Sequence, residues 1–396
     1  LKKKGSDMKI FSKFGCAAGC CLMIIITACG GEHPVGGSKA GTAKNQTVAN
    51  APKCGVFVPK VEEVSRFTQV PSWGEDVVIQ YVLLATPERY YLGDFRAIRI
   101  LAVGMNGKLQ HSFLKKGQGP GEFQWLSQVQ KLGDNLWVYG TRKLDRLSGD
   151  GILRSEVRFD KYYYNLTMMN DSKFAGVRTE VEGDEKTGRR IKRAGLWDLK
   201  ENRLKSFRTS DQRGVFEFKQ DKTFLTLSFG GGLVPDLILA GDPATQRIYV
   251  CETDIYRIYV MNAEGKLIQT IERTIEPAVL TDQDKDELAG NFNVNGMDQN
   301  DIRMRLKKQL PDRMCPVASM QVTPDGYLIV ERPVKSGINE LDIYNQAGQF
   351  LVTLQNPKDI NLSGATFLSH DRFALVDNKG DLPVVIEYHV VQPEME

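Results

Sequence analysis

A phrase of strand, glycine turn and strand returns along this chain, and it predicts an all-β fold, a six-bladed β-propeller. Three observations carry the expectation. The phrase recurs at a near-constant period, three strands remain after its last copy, and one strand stands before its first.

The clearest copy spans Gln246 to Arg273. Its strands are Arg247 to Cys251, Tyr256 to Met261 and Leu267 to Ile271, with Asn262 to Lys266 between the last two. Gly265 can take the positive φ of a hairpin turn there. Similar phrases run from Ile98 to Phe113 around Gly107, from Leu144 to Phe159 around Gly151, and from Leu341 to Leu354 around Gly348. A weaker copy, Leu196 to Phe207, turns at Asn202. Successive turns lie 44, 51, 63 and 83 residues apart, against roughly 45–50 for four-stranded blades.

The last interval therefore holds one blade and an insertion, and Pro277 to Pro316 is that insertion. Alternation stops, Thr281 and Asp284 form a capping box, and Asp301 to Leu310 reads as a second helix. Ile302, Leu306 and Leu310 make a narrow apolar stripe along it, which predicts a helical flap over one end of the channel. After Gly348, the segments Ala365 to Leu368, Arg372 to Asp377 and Val384 to Val391 supply three strands of a sixth blade. Its missing outermost strand is assigned to Val56 to Phe67, a closure that satisfies edges an open blade leaves bare.

Residues 1–28 read as a signal peptide. Lys2, Lys3, Lys4, Lys9 and Lys13 precede the apolar run Phe14 to Ala28, which is shorter than the ~20 residues a spanning helix needs. The run ends in Ile26-Thr27-Ala28-Cys29, which resembles a bacterial lipobox. Small residues admit the extended backbone to a peptidase cleft, and the Cys29 thiolate is nucleophilic enough to take a lipid. Gly30 supplies no acidic retention signal, so the expected address is the outer membrane, with the protein extracytoplasmic and lipid-anchored in the cell envelope. Residues 29–53 are the lipidated cysteine and a Gly/Ser/Ala/Lys-rich tether, and 54–396 the propeller.

Composition is that of a folded protein, 41% hydrophobic and 26% charged. The net charge of +3 comes from the basic residues before Phe14, so the body is near neutral and offers nucleic acid no attracting field. Of seven cysteines, Cys54, Cys251 and Cys315 remain in the body, where at most one disulfide can form.

Lys116 to Phe123 reads KGQGPGEF on the exit from the first blade. It resembles the glycine-proline loop of bacterial six-bladed β-propeller lipoproteins, relatives of the NHL-repeat group, many of uncharacterised function. The resemblance covers most of Val77 to Val391 and is weakest in the third blade, Tyr162 to Phe207. It implies a fold and an address, and it brings no catalytic residues to carry over. Physically, Gly117, Gly119 and Gly121 let the backbone turn sharply, Pro120 fixes φ, and Phe123 packs into the next blade. An anion cradle is the competing reading, but the loop lacks the Lys-Ser/Thr of a phosphate loop and opens no helix.

Signatures of catalysis are absent from the sequence. The four histidines, His33, His111, His370 and His389, are scattered, and neither HExxH nor GxSxG occurs. Asp282, Asp284 and Asp286 begin like a calcium loop, yet no glycine stands sixth and Asn293 stands twelfth. Arg189, Arg190, Lys192 and Arg193 beside Glu180, Glu182, Asp184 and Glu185 read as a solvated hairpin. Tyr162, Tyr163 and Tyr164 read as packing between blades or as stacking surfaces for glycan or peptide.

The expectation is a binding or scaffold module for a protein, peptide or glycan, with no cofactor and no metal. The alternative is a lactonase-like hydrolase or lyase with a divalent metal in the channel, for which Asp236 and Asn165 are candidate ligands.

Overall fold

Apolar residues at alternate positions, interrupted by short polar turns, make antiparallel sheets whose faces can pack on both sides. Six such sheets form here, with strands across 81–113, 128–158, 163–211, 237–272 and 319–354, and a last sheet that joins 366–391 to Lys60–Thr68; five have four strands, and that at 319–354 gains Val56–Phe57 as a fifth. The computed structural model describes residues 52–68, 73, 77–140, 142–183, 189–211, 215–220, 223–228, 232–290, 298–335, 337–357, 360–362, 364–378 and 382–391. The signal peptide, Ile26, Thr27, Ala28, Cys29 and most of the tether lie outside the described residues. First strands of successive blades stand side by side around an axis. Six buried clusters fill the spaces between neighbouring blades, one at each interface, so the ring is closed. It is a six-bladed propeller.

Closure is made by Lys60–Thr68, antiparallel to Val384–Val391 from Lys60 opposite Val391 to Thr68 opposite Val384. The segment assigned to this role in the sequence divides in two. Val56–Phe57 runs parallel to Phe350–Leu354, the outermost strand of the fifth blade, and Cys54 N donates to Leu351 O at 2.7 Å. The buried Pro59, with no N–H for a ladder, separates the two pieces. A second departure explains the 63-residue interval: an extra hairpin, Val215–Gln220 with Thr223–Ser228, stands between the third and fourth blades.

Two helices occupy the insertion, α1 at Asp282–Gly290 and α2 at Gln299–Gln309. Thr281 Oγ1 accepts from Asp284 N at 3.2 Å while Asp284 Oδ2 accepts from Thr281 N at 2.9 Å, the reciprocal capping box. α2 starts before Asp301 because Asp298 caps it through Asn300 N and Asp301 N. The stripe of Ile302, Leu306 and Leu310 docks on Leu280, Ala289 and Met314 of the insertion itself, and on Leu233 and Val234 ahead of the fourth blade. Main-chain bonds from Met314 N to Ala278 O and from Leu280 N to Asp312 O close its base. The insertion is a satellite that shares its small apolar cluster with the segment ahead of the fourth blade.

The repeated glycines answer two demands at once. Gly151 and Gly265 take φ of 84° and 74° in the turns between third and outermost strands. A Cβ on Gly151 would stand 2.4 Å from the Phe113 ring, and one on Gly265 would stand 2.9 Å from Phe207. Both neighbours belong to the outermost strand of the preceding blade. The turn must therefore be left-handed and bare for one blade to lean on the next.

Strand direction sorts the connections into two ends. Links from first to second and from third to outermost strands share one end, here the turn end, and none exceeds five residues, as at 262–266. Links from second to third strands, and from each blade to the next, share the other. That loop end carries 114–127, the extra hairpin and the helical insertion.

All three histidines among the described residues sit at the turn end with an aspartate: His111 with Asp150, His370 with Asp325 and His389 with Asp371. His370 Nδ1 lies 2.6 Å from Asp325 Oδ2, and its ring stacks on Tyr327 at 4.3 Å. The Asp325 contact raises the His370 pKa above its ordinary 6.5, against a smaller opposing effect of burial. Burial pushes Asp325 up, but hydrogen bonds from His370 and Thr323 outweigh it and hold the carboxyl below 3.8. A raised histidine stabilises the fold fully below 6.5 and less as pH climbs through its folded value. A depressed aspartate does so fully above 3.8 and less as pH falls through its folded value. His370→Ala should therefore depress the melting temperature most between those limits. Melts at about pH 5 and about pH 9 check this, and an equal penalty at both would contradict it.

Candidate functional site

The glycine-proline loop is held as a clamp between blades. Glu122 folds back over it and accepts from Gln118 N at 3.1 Å and Gly119 N at 2.9 Å. A Cβ on Gly117 would come within 2.0 Å of that carboxylate, and Gly121 takes φ of 67°. Lys143 Nζ donates to Gly119 O at 3.0 Å, and Arg158 reaches Gln118 O at 2.8 Å. Phe123 is buried beneath Lys143, whose ammonium stands 4.3 Å from the ring centre. The amides of Gln118 and Gly119 are thus spent on Glu122, and Gly117 N donates to Phe123 O at 3.0 Å, which supports the structural role over an anion cradle. Glu122, Lys143 and Arg158 went unnoticed in the sequence, since two of them lie at least 20 positions from the loop they hold.

Beneath the clamp, Lys143 is shared between Glu156 at 3.0 Å and the fully buried Asp145 at 3.3 Å. Burial pushes the Asp145 carboxyl up to about 6 although Lys143 opposes the shift. Arg158 also binds Glu156 at 2.8 Å, so Asp145 is left to share Lys143 alone, and the acid with less contact to water bears the cost.

The charged hairpin of the third blade departs from its sequence reading. Lys192 is 5% exposed, and Arg193 Nε donates to Glu180 Oε2 at 2.6 Å with Arg178 on the other carboxylate oxygen at 2.8 Å. Arg189–Asp198 is a full strand, so only its first residues reach solvent and the remainder are covered by neighbouring strands. Burial raises the Glu180 pKa, and its two arginines more than reverse that.

At the loop end of the same blade, the three tyrosines take different parts. Tyr163 is buried, its N–H donating to Tyr139 Oη at 2.7 Å. Tyr162 and Tyr164 stay partly exposed, 4.9 Å apart with their planes at 80°. Trp125, from the end of the glycine-loop link, stacks on Tyr162 at 5.9 Å. Lys192 stands 4.8 Å from the Tyr164 ring and binds Asp236 Oδ1 at 2.5 Å. Asn165 is exposed beside Tyr164 with φ of 48°. A lactonase-like site needs carboxylate and amide oxygens free to converge on a cation, whereas Asp236 Oδ1 already accepts from Lys192 and from Leu237 N. Among the described residues no group of three or more His, Cys, Asp and Glu side chains is placed to hold a metal ion.

Further apolar residues are exposed at the loop end. Val181, Ile255, Ile338 and Leu382 stand at or beside the links between second and third strands of the last four blades. Cys54, Cys251 and Cys315 form no disulfide, and burial pushes the Cys251 thiol far up, away from reactivity.

No family model and no curated protein matches this chain. Solved structures do. A protein of Bacteroides fragilis NCTC 9343 described as exported aligns with a TM-score of 0.51 at 11% identity, over 87% of this chain and 99% of that one. The likeness is one of fold. A member of the DUF4221 family from Bacteroides vulgatus ATCC 8482 aligns at 0.49 with 9% identity, over 84% of this chain and 98% of its own. A luciferin-regenerating enzyme aligns at 0.40 with 10% identity, over 84% and 96%.

Proposed function

We propose that this chain is a lipid-anchored protein of the cell envelope, attached through Cys29 at the outer membrane. Its propeller binds a protein, peptide or glycan with the loop end of the ring. One observation carries the reading: within the ring, every connection longer than five residues lies at that end. Loops held on a rigid scaffold are where recognition concentrates, because their length and chemistry vary without disturbing the core. The apolar tips on four blades and the row from Trp125 to Asp236 lie on the same side.

Two experiments test the parts separately. Cys29→Ser should abolish acyl labelling and release the protein from membranes, and unchanged partitioning would sink the anchor. For the face, a photo-crosslinking residue at Ile255 or Ile338 should yield adducts in intact cells, while one at Ile152, exposed at the turn end, should not. Replacing residues 279–313 with a short Gly/Ser linker should leave a cooperatively melting ring and diminish those adducts, since the base is already joined at Ala278 and Met314. Adducts at Ile152 alone would reverse the assignment of the face.

A further inference from the structure

We propose that the glycine-proline loop is a latch worked by one proton: Lys116 to Phe123 lies closed while the Asp145 carboxyl beneath it is neutral, and opens more readily once that proton passes to solvent. The latch holds whichever end of the ring meets a ligand. Asp145 lies in the third strand of the second blade, Lys143–Ser148, directly opposite Glu156 of the outermost strand. It is fully buried, and neither carboxylate oxygen meets a donor in hydrogen-bonding geometry. Its counterweights are the Lys143 ammonium, offset at 3.3 Å, and the nearby Gly121 amide.

The loop is the cover of this cluster. Gly119 O accepts from Lys143 at 3.0 Å, the buried Phe123 ring lies against the same ammonium, and Gly121 turns its amide toward Asp145. Bonds inside the loop, Glu122 N to Gly119 O and Gly117 N to Phe123 O, are both 3.0 Å and leave Lys143 out. The loop can therefore lift as a unit when Lys143 releases Gly119 O and Arg158 releases Gln118 O.

The surrounding charges set the direction. From the second blade come Lys143, Glu156 and Arg158, and from the link the exposed Lys115 and Lys116 with Glu122. Glu156 takes both Lys143 and Arg158, while Glu122 takes Lys115 at 3.0 Å. The first blade packs here through apolar groups such as Ile98, Ile100 and Phe113, and its Asp94 already holds Arg99 at 2.9 Å. Burial therefore dominates at Asp145 and pushes its carboxyl up to about 6, with Lys143 opposing and Glu156 assisting. Lifting the loop returns the group to water and toward its ordinary 3.8. The closed loop thus holds the proton more tightly than the open one. Closure is strongest below 3.8 and weakens as pH climbs through the folded value. Burial raises Glu156 too, but Lys143 and Arg158 outweigh it and keep it below 4.5. The Gly119 amide and Lys115 keep Glu122 below 4.5 as well, so the step between pH 5 and 8 belongs to Asp145. His111, the one histidine of the first two blades, sits at the turn end with Asp150.

Amide hydrogen exchange of the full chain, read by mass spectrometry and corrected for the intrinsic pH dependence, tests the latch. Protection of 116–123 should fall by about ten-fold from pH 5 to pH 8, the factor that folded and free values of about 6 and 3.8 impose. Protection of Arg247–Glu252, in the fourth blade, should change little. Asp145→Asn has no proton to lose and should flatten the dependence, whereas His111→Gln should leave it intact. Glu156→Gln supplies a second reading that does not touch the buried acid. It frees Lys143 for Asp145, so the midpoint should move to lower pH. Protection of 116–123 that is level or rising from pH 5 to 8 overturns the proposal. So does a fall shared by the whole ring, a dependence that survives Asp145→Asn, or a midpoint that Glu156→Gln leaves in place.

Discussion

A chain shortened to begin near Val70 is expected to lose cooperative unfolding. The strand Lys60–Thr68 is the sole partner of Val384–Val391 on its outer side, and pairing extends along that whole strand. Its loss would bare the ladder of the sixth blade and uncover one side of Val385, Ile386 and Val390, each at most 4% exposed. Phe67 would also go, with its ring contacts to Trp73 at 6.1 Å and Tyr90 at 5.3 Å and its packing under the Gly107 turn of the first blade. Each large apolar side chain returned to water costs about 1.5–3 kcal/mol, against a total stability of about 5–15 kcal/mol. The deletion therefore approaches the whole margin. Thermal melts followed by circular dichroism check it, with a chain lacking residues 31–50 as the control expected to melt unchanged. A shortened chain melting within a few degrees of the control would show that the ring closes without this strand.

Asp342→Ala is expected to cost about 3–5 kcal/mol, as breaking a buried ion pair does. Asp342 is fully buried and binds Arg273 across the seam between fourth and fifth blades, where the arginine side chain is 8% exposed. Tyr256 Oη donates to its Oδ2 at 2.8 Å, and Thr353 Oγ1 to its Oδ1 at 2.6 Å. The arginine lies over Phe350, 4.0 Å from the ring centre, and Arg332 Nε stands 3.6 Å from Asp342 Oδ2, so the substitution takes a buried carboxylate away from two guanidinium groups. Burial, with Tyr344 and Asp342 nearby, holds the Tyr256 phenol well above its ordinary pKa, and it cannot ionise to compensate. The double variant Arg273→Met with Asp342→Leu should recover most of the loss, because matched apolar groups can replace a buried pair. Urea denaturation of both variants measures the difference. A single variant as stable as the parent would mean that water reaches the arginine.

The parts of this fold legible in the sequence are those written locally. Gly107, Gly151, Gly265 and Gly348 mark their turns because a left-handed φ and a close neighbour both exclude a side chain there. The Thr281–Asp284 box joins residues three positions apart, so it could be read without knowing what the helix packs on. What escaped notice depends on distant parts of the chain meeting. The Arg273–Asp342 seam joins positions 69 apart. The clamp on the glycine loop needs Lys143 and Arg158 from the next blade. The division of the closing segment at Pro59 turns on which blade offers the nearer edge, and alternation alone carries no such information. At the loop end, Tyr162 to Tyr164 were visible as a cluster, but Trp125 and Lys192, which complete the row, come from other strands and links.

The two-residue strand Val56–Phe57 determines how a tethered ring would carry load. The chain arrives beside Phe350, just past the Gly348 turn, where Lys53 N donates to Phe350 O at 3.0 Å. A pull transmitted from a lipid at Cys29 would meet the bonds of 53–57 with the fifth blade before reaching the closing strand of the sixth. That short parallel splice joins the fifth blade and stands apart from the antiparallel seam that closes the sixth.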